Sequence, residues 1–173
     1  MKYFAYGSNL CVPRLKQRRA DPTNPRLASL PGHELLFNKG SMDGSTKANI
    51  NPVSTDSVVW GVIFDISDDC LEGLREAEGR NIGHYTEESV KVLIDGELET
   101  VTTYIADPDK TTDTGDPYDW YLDHIVKGAE TFGFPADYLI NLRKVESIHD
   151  PDADRAAKER AYWHGPRDGD ACS

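Results

Sequence analysis

The stretch SVVWGVIFDI, residues 57–66, constrains this chain more than any other. A strand with one wet face alternates apolar and polar residues, and this one does not. Its near-continuous apolar run needs cover on both faces, so it belongs inside a sheet with other elements packed over it. The remaining sheet must come from elsewhere in the chain. KYFAY at residues 2–6 and GHELLFN at 32–38 read as strands. TEESVKVLIDGELETVTTYIA, residues 86–106, alternates around Asp95-Gly96, a hairpin signature.

Helices fill the gaps. VPRLKQRRADP predicts a short basic helix ended by Asp21-Pro22, its charges on a solvated face. SDDCLEGLREAEG predicts a helix from Asp68 to Glu78, with Ser67 as N-cap, Asp68 and Asp69 at its positive end and Gly79 as the C′ residue. DWYLDHIVKGAETFG repeats Trp120, Ile125, Val126 and Ala129 at helical spacing, and PADYLINLRKV opens a further helix with Pro135 in its first turn. Strands, hairpin and helices in this order predict an α+β fold rather than a regular βαβ succession. Residues 39–55, KGSMDGSTKANINPVST, read as an irregular loop, either a lid or surface padding. Residues 107–119 read as a polar loop. Beyond Ile148 the chain turns charged, which divides it into a domain over 1–148 and a polar, peripheral tail over 149–173.

Composition narrows the partners. With 173 residues and a net charge of −11, the chain fits one domain and disfavours nucleic acid and anionic membrane surfaces. Cys11, Cys70 and Cys172 are few, odd in number and lack metal-ligand spacing, and the five histidines lack it too, so no metal is expected. The apolar run Tyr3–Tyr6 is too short for a signal-peptide core, and no stretch approaches a membrane span. The expected location is cytoplasmic.

Two places carry chemistry. Tyr6-Gly7-Ser8-Asn9 stops the first strand in a sharp loop. Such a loop can aim several backbone N–H groups at a carboxylate, phosphate or oxyanion, or it can be an ordinary turn. Ser8 lacks the flanking pattern of a hydrolase nucleophile, and Cys11 reads as a small packed residue. The second place is Glu78. The apolar stripe of its helix runs through Leu71 and Leu74 and next reaches position 78, where a leucine would be expected. A glutamate on the core side must be paired, neutral or working, and burial suits a general acid/base. Alternatively the helix frays and Glu78 turns to solvent. Periodicity leaves these level.

YFAYGSNL, together with VVWGVIFDI…LREAEGRNIGHYTEESVKV and WYLDHIVKGAETFGFP, resembles the γ-glutamylcyclotransferase family, the AIG2-like fold, over most of residues 2–146. The resemblance implies a small closed mixed β-barrel with flanking α-helices and no cofactor. It implies conversion of a γ-glutamyl amino acid, or a related γ-glutamyl amide, to 5-oxoproline and a free amine. Tyr6, Gly7, Ser8, Asn9 and Leu10 match the family's γ-glutamyl-binding loop, and Glu78 matches its catalytic acid/base. Tyr85, after Asn81-Ile82-Gly83-His84, and Tyr121 match tyrosines that line the substrate cavity. Residues 39–55 match loosely, and the tail has no counterpart. A γ-glutamyl amine, a carrier-bound γ-glutamyl group and a non-catalytic binding module on the same fold stay open as alternatives. The partner implied is a small-molecule substrate, with the oligomeric state undetermined.

Overall fold

In a computed structural model, residues 1–54, 56–78 and 83–164 are described. The strands are β1 (Lys2–Ala5), β2 (Thr23–Pro31), β3 (His33–Gly40), β4 (Thr46–Pro52), β5 (Val58–Asp65), β6 (Tyr85–Ile94) and β7 (Glu97–Ala106). The helices are α1 (Val12–Gln17), α2 (Leu71–Ala77), α3 (Asp119–Thr131), α4 (Ala136–Leu142) and α5 (Ala153–Arg160).

The apolar run at 57–66 becomes β5, and it lies inside the sheet as its composition requires. It pairs antiparallel with β1 on one side and β2 on the other. Val59, Val62, Ile63 and Phe64 are all buried. The sheet continues through β6 and β7 and closes into a barrel in the order β1-β5-β2-β6-β7. Closure is made by a parallel contact of Tyr3 with Thr102, braced by the buried Thr103 hydroxyl donating to the Phe4 carbonyl at 2.9 Å. The hairpin of β6 and β7 turns at Asp95-Gly96, with Ile94 opposite Glu97. The fold is therefore the expected α+β barrel with flanking helices.

Several elements differ from the sequence reading. Strand β2 was not anticipated, because Pro25 falls where its register with β5 shifts and the segment shows no clean alternation. Residues 39–55 are not an irregular loop: β3 runs through Lys39 and Gly40, and β4 pairs with it as a separate two-stranded sheet. The polar residues that obscured β4 are satisfied from outside it. Asn49 accepts from the Ala106 N–H at 2.9 Å and donates to Asn38 at 3.1 Å. Thr55 lies outside the described residues. Helix α2 is shorter than expected, beginning after a 3-10 turn at Asp68–Cys70 and ending at Ala77. Glu78 is its C-cap, keeps helical angles (φ −81°, ψ −2°) and bonds its N–H to the Leu74 carbonyl at 3.0 Å. Gly79, Asn81 and Ile82 lie outside the described residues. Pro135 is the N-cap of α4. Cys70 is disulfide-bonded, which the cysteine count did not suggest.

The segment read as a peripheral tail folds back onto the domain as far as residue 164; residues 165–173 lie outside the described residues. The Asp150 carboxylate accepts from Trp120 Nε1 at 2.7 Å and from two nitrogens of Arg155. Tyr162 donates to Gln17 of α1 at 2.8 Å. This segment docks through paired polar groups and carries few apolar residues, so its burial left no apolar stripe to read. Among the described residues, no helix is long and apolar enough to cross a membrane.

Helix α3 rests directly on the turn after β1. A Cβ on Gly128 would lie 2.4 Å from Leu10 Cβ and 2.9 Å from the Leu10 carbonyl carbon and oxygen. The clash is with backbone, so it cannot be relieved by a rotamer change. Gly128→Ala should therefore destabilise the fold by about 1–3 kcal/mol, the usual cost of overpacking, read as a lower denaturation midpoint.

Candidate active site

Strand β1 delivers Tyr6 and Gly7 to the open end of the barrel, and the chain then tightens into a 3-10 turn at Ser8–Leu10. That turn uses the Leu10 N–H, which bonds the Gly7 carbonyl at 3.0 Å. The N–H groups of Gly7, Ser8 and Asn9 have no partner among the described residues. They border a cavity of about 280 Å³, near the lower end of the roughly 300–1,000 Å³ usual for small-molecule sites.

Glu78 reaches this cavity because α2 packs closely on the end of α1. A Cβ on Gly73 would meet Arg19 Cβ at 2.7 Å and the Arg18 and Arg19 carbonyls at 2.9 Å. With α2 held there, the Glu78 carboxylate accepts from Asn9 Nδ2 at 2.5 Å and stands 4.0 Å from Arg18 Nη1. The Asn9 amide also donates to the Tyr3 hydroxyl at 2.8 Å and accepts from Arg18 at 3.1 Å. Glu78 is thus on the core side, with its side chain 11% exposed.

Phenols make up much of the remaining wall. Tyr85 donates to the Ala48 carbonyl, and the Tyr121 hydroxyl accepts from the Ala48 N–H, each at 3.0 Å. Tyr6 donates to the Tyr104 carbonyl at 2.5 Å. Burial pushes the phenols of Tyr3, Tyr6, Tyr85 and Tyr121 up, and the Glu78 charge adds to it. They remain protonated near neutral pH. The Tyr121 hydroxyl accepts from the backbone, also meets the Ser8 side chain and keeps a proton of its own to donate.

Of the residues expected at the site, Tyr6, Gly7, Ser8, Asn9, Glu78, Tyr85 and Tyr121 all border the cavity. Leu10 does not. Its side chain is buried in the core beneath Gly128. The cations were missed. Arg14 and Arg18, expected on a solvated face, line the cavity, as do Lys39 and Lys47. The four-residue spacing of Arg14 and Arg18, which puts both on one face of a helix, was the available signal.

Arg14 is fixed by a buried chain of polar contacts. It donates to Ser8 Oγ at 3.1 Å and to Glu159 Oε2 at 2.8 Å. Trp163 Nε1 donates to His124 Nδ1 at 2.9 Å, so the His124 proton sits on Nε2 and is given to Glu159 at 3.1 Å. Burial lowers the His124 pKa against the pull of Glu159, which keeps this tautomer neutral. For Glu159, burial raises the pKa, but the His124 hydrogen bond and the Arg14 charge outweigh it and hold the carboxyl at about 2.

A closed barrel with a carboxylate, unpaired loop N–H groups and neutral phenols around one cavity defines an enzyme of AIG2-like architecture. The AIG2-like family model matches residues 58–142. Gamma-glutamylcyclotransferase of Homo sapiens is 30% identical over 151 residues, covering 83% of this chain and 78% of that protein. Gamma-glutamylcyclotransferase of Mus musculus is 29% identical over 149 residues with the same coverage. A solved structure of a gamma-glutamyl cyclotransferase superposes with a TM-score of 0.79 at 26% identity, over 95% of this chain and 98% of that one. The chain belongs to the γ-glutamylcyclotransferase family of enzymes.

The depressed Glu159 pKa has a consequence for stability. A carboxylate held below its unfolded value stabilises the fold above that value, and the contribution is lost as pH falls through the folded pKa. Between the usual 4.5 and about 2, this amounts to about 3 kcal/mol at neutral pH. Glu159→Gln should lower stability by that order at pH 7, and the gap from the parent should close between pH 4.5 and 2, measured by denaturant unfolding across that range.

Proposed function

We propose that this protein is a γ-glutamylcyclotransferase that converts a γ-glutamyl amino acid to 5-oxoproline and the free amino acid, with Glu78 as general acid/base. The observation that carries the reading is the contact of Asn9 with Glu78. It joins the loop after β1 to the end of α2, 69 residues apart, and holds a largely buried carboxylate over unpaired N–H groups.

The chemistry asks little of a cofactor. The α-amine of the γ-glutamyl group attacks its own γ-carbonyl carbon, forming the C–N bond of a five-membered lactam, and the bond from that carbon to the leaving nitrogen breaks. Holding the bent conformer can supply roughly 7–11 kcal/mol of the barrier, because attack is intramolecular. The amine is largely protonated at neutral pH and cannot attack in that form. Glu78 takes that proton and later returns one to the leaving nitrogen. The loop N–H groups of Gly7, Ser8 and Asn9 accommodate negative charge on the substrate carboxylate or on the oxyanion of the tetrahedral intermediate. Tyr121, with a proton to donate, orients the glutamyl group, and Tyr85 closes the wall beside it. Arg14 holds Ser8, and therefore the loop, in place.

Glu78→Gln keeps the shape and the hydrogen bond from Asn9 but removes the base. It should lower kcat for 5-oxoproline release from γ-glutamyl amino acids by about 10²–10⁴-fold, the usual worth of general acid–base catalysis. Parent-level turnover by the folded variant would remove Glu78 from the role.

A further inference from the structure

Among the described residues four cations line the cavity, and three are matched by a carboxylate. Arg14 is paired with Glu159 at 2.8 Å, Lys47 with Asp43 at 2.8 Å, and Arg18 stands 4.0 Å from Glu78. Lys39 has no carboxylate within 4.0 Å among the described residues. Its Nζ donates to His84 Nδ1 at 3.1 Å and lies 5.3 Å from the centre of the Tyr85 ring. The residue is only 4% exposed. Burying an ammonium without an anion is costly. Burial lowers the Lys39 pKa, Asp43 and Glu78 oppose this, and Lys110 adds to it. His84, lowered by burial and by the charges of Lys39 and Lys110, is neutral and offers a lone pair but no charge. The strand is also fixed: Lys39 bridges Thr111 on its other side, and the Thr112 N–H bonds the Asn38 carbonyl at 2.8 Å. The ammonium cannot leave the cavity by a simple strand movement.

An uncompensated buried cation facing a substrate cavity calls for an anion on the substrate. A γ-glutamyl amino acid carries two carboxylates. The N–H groups of Gly7, Ser8 and Asn9 on the α1 side can hold the glutamyl one, whereas Lys39 projects from β3 beside His84 and Tyr85. We propose that Lys39 is the counter-ion for the carboxylate of the departing amino acid, and so sets a preference for γ-glutamyl amino acids over γ-glutamyl amines. This rests on the cyclotransferase reading and deepens it, by assigning leaving-group selection to one side chain.

The test compares γ-glutamyl-L-alanine with γ-glutamyl-L-alanine amide, which differ only in the charge of the departing group. Turnover is measured for the parent, Lys39→Met and Lys39→Arg. Binding of both compounds is measured by calorimetry in the Glu78→Gln background, and thermal melting checks that each variant is folded. The parent should favour the acid, and Lys39→Met should lower the acid-to-amide ratio of kcat/KM by about 10–100-fold, the range for losing one charge-assisted hydrogen bond. Lys39→Arg should restore part of it. An unchanged ratio overturns the assignment, whether both substrates fall together, as they would if Lys39 held the glutamyl carboxylate, or neither falls. If the parent turns over neither compound, the cyclotransferase reading fails by itself. The binding ratio then decides Lys39: a preference for the acid that Lys39→Met abolishes upholds it, and equal affinities overturn it.

Discussion

The primary amide of Asn9 is the contact on which the site depends. Its two hydrogens go to the Tyr3 hydroxyl and the Glu78 carboxylate, and its oxygen accepts from Arg18. One small side chain thereby ties the first barrel strand, the end of α2 and the end of α1 to a common point. An amide suits the position because it donates and accepts at once while carrying no charge. An aspartate there would set a second carboxylate against Glu78, and a serine could not span the three partners.

Around that point the polar interior is close to balanced. The cavity holds positive charge from α1, β3 and β4, and carboxylates brought from distant segments offset most of it. Glu159 comes from the last helix, and Asp43 from the turn between β3 and β4. The phenols contribute dipoles without charge, since burial keeps them protonated. Most of these groups are thus already held by protein partners, so the lining is set in place by the fold itself.

What could be read from the sequence follows from how far each signal travels. Strand β5, the hairpin at Asp95-Gly96 and α3 announce themselves through apolar spacing or turn chemistry contained within a few residues. The loop at Gly7-Ser8-Asn9 and Glu78 each break a local pattern, but that pattern left a bland reading open, and the family resemblance singled them out. Strand β4 was not, because Asn49 finds its partner at Ala106, 57 residues on. Nor were Arg14 and Lys39. A charged residue in a short helix or a Gly/Ser-rich segment looks solvated until the fold supplies the wall that covers it. The docking of α5 was hidden likewise, since its anchors are ion pairs rather than an apolar stripe.

The pairing of Arg14 with Glu159 spans 145 residues. The loop beside the cavity is thus steadied by nearly the last described segment of the chain, while the barrel that carries that loop is complete by Ala106. During synthesis the barrel strands emerge first, and Arg14 and His124 stand without their carboxylate until α5 is made and docks. Closing so long a loop is entropically slow compared with forming the local hairpins. The site therefore matures after the scaffold, and a chain cut short before α5 would keep its barrel strands yet lack the brace that holds Ser8 in place.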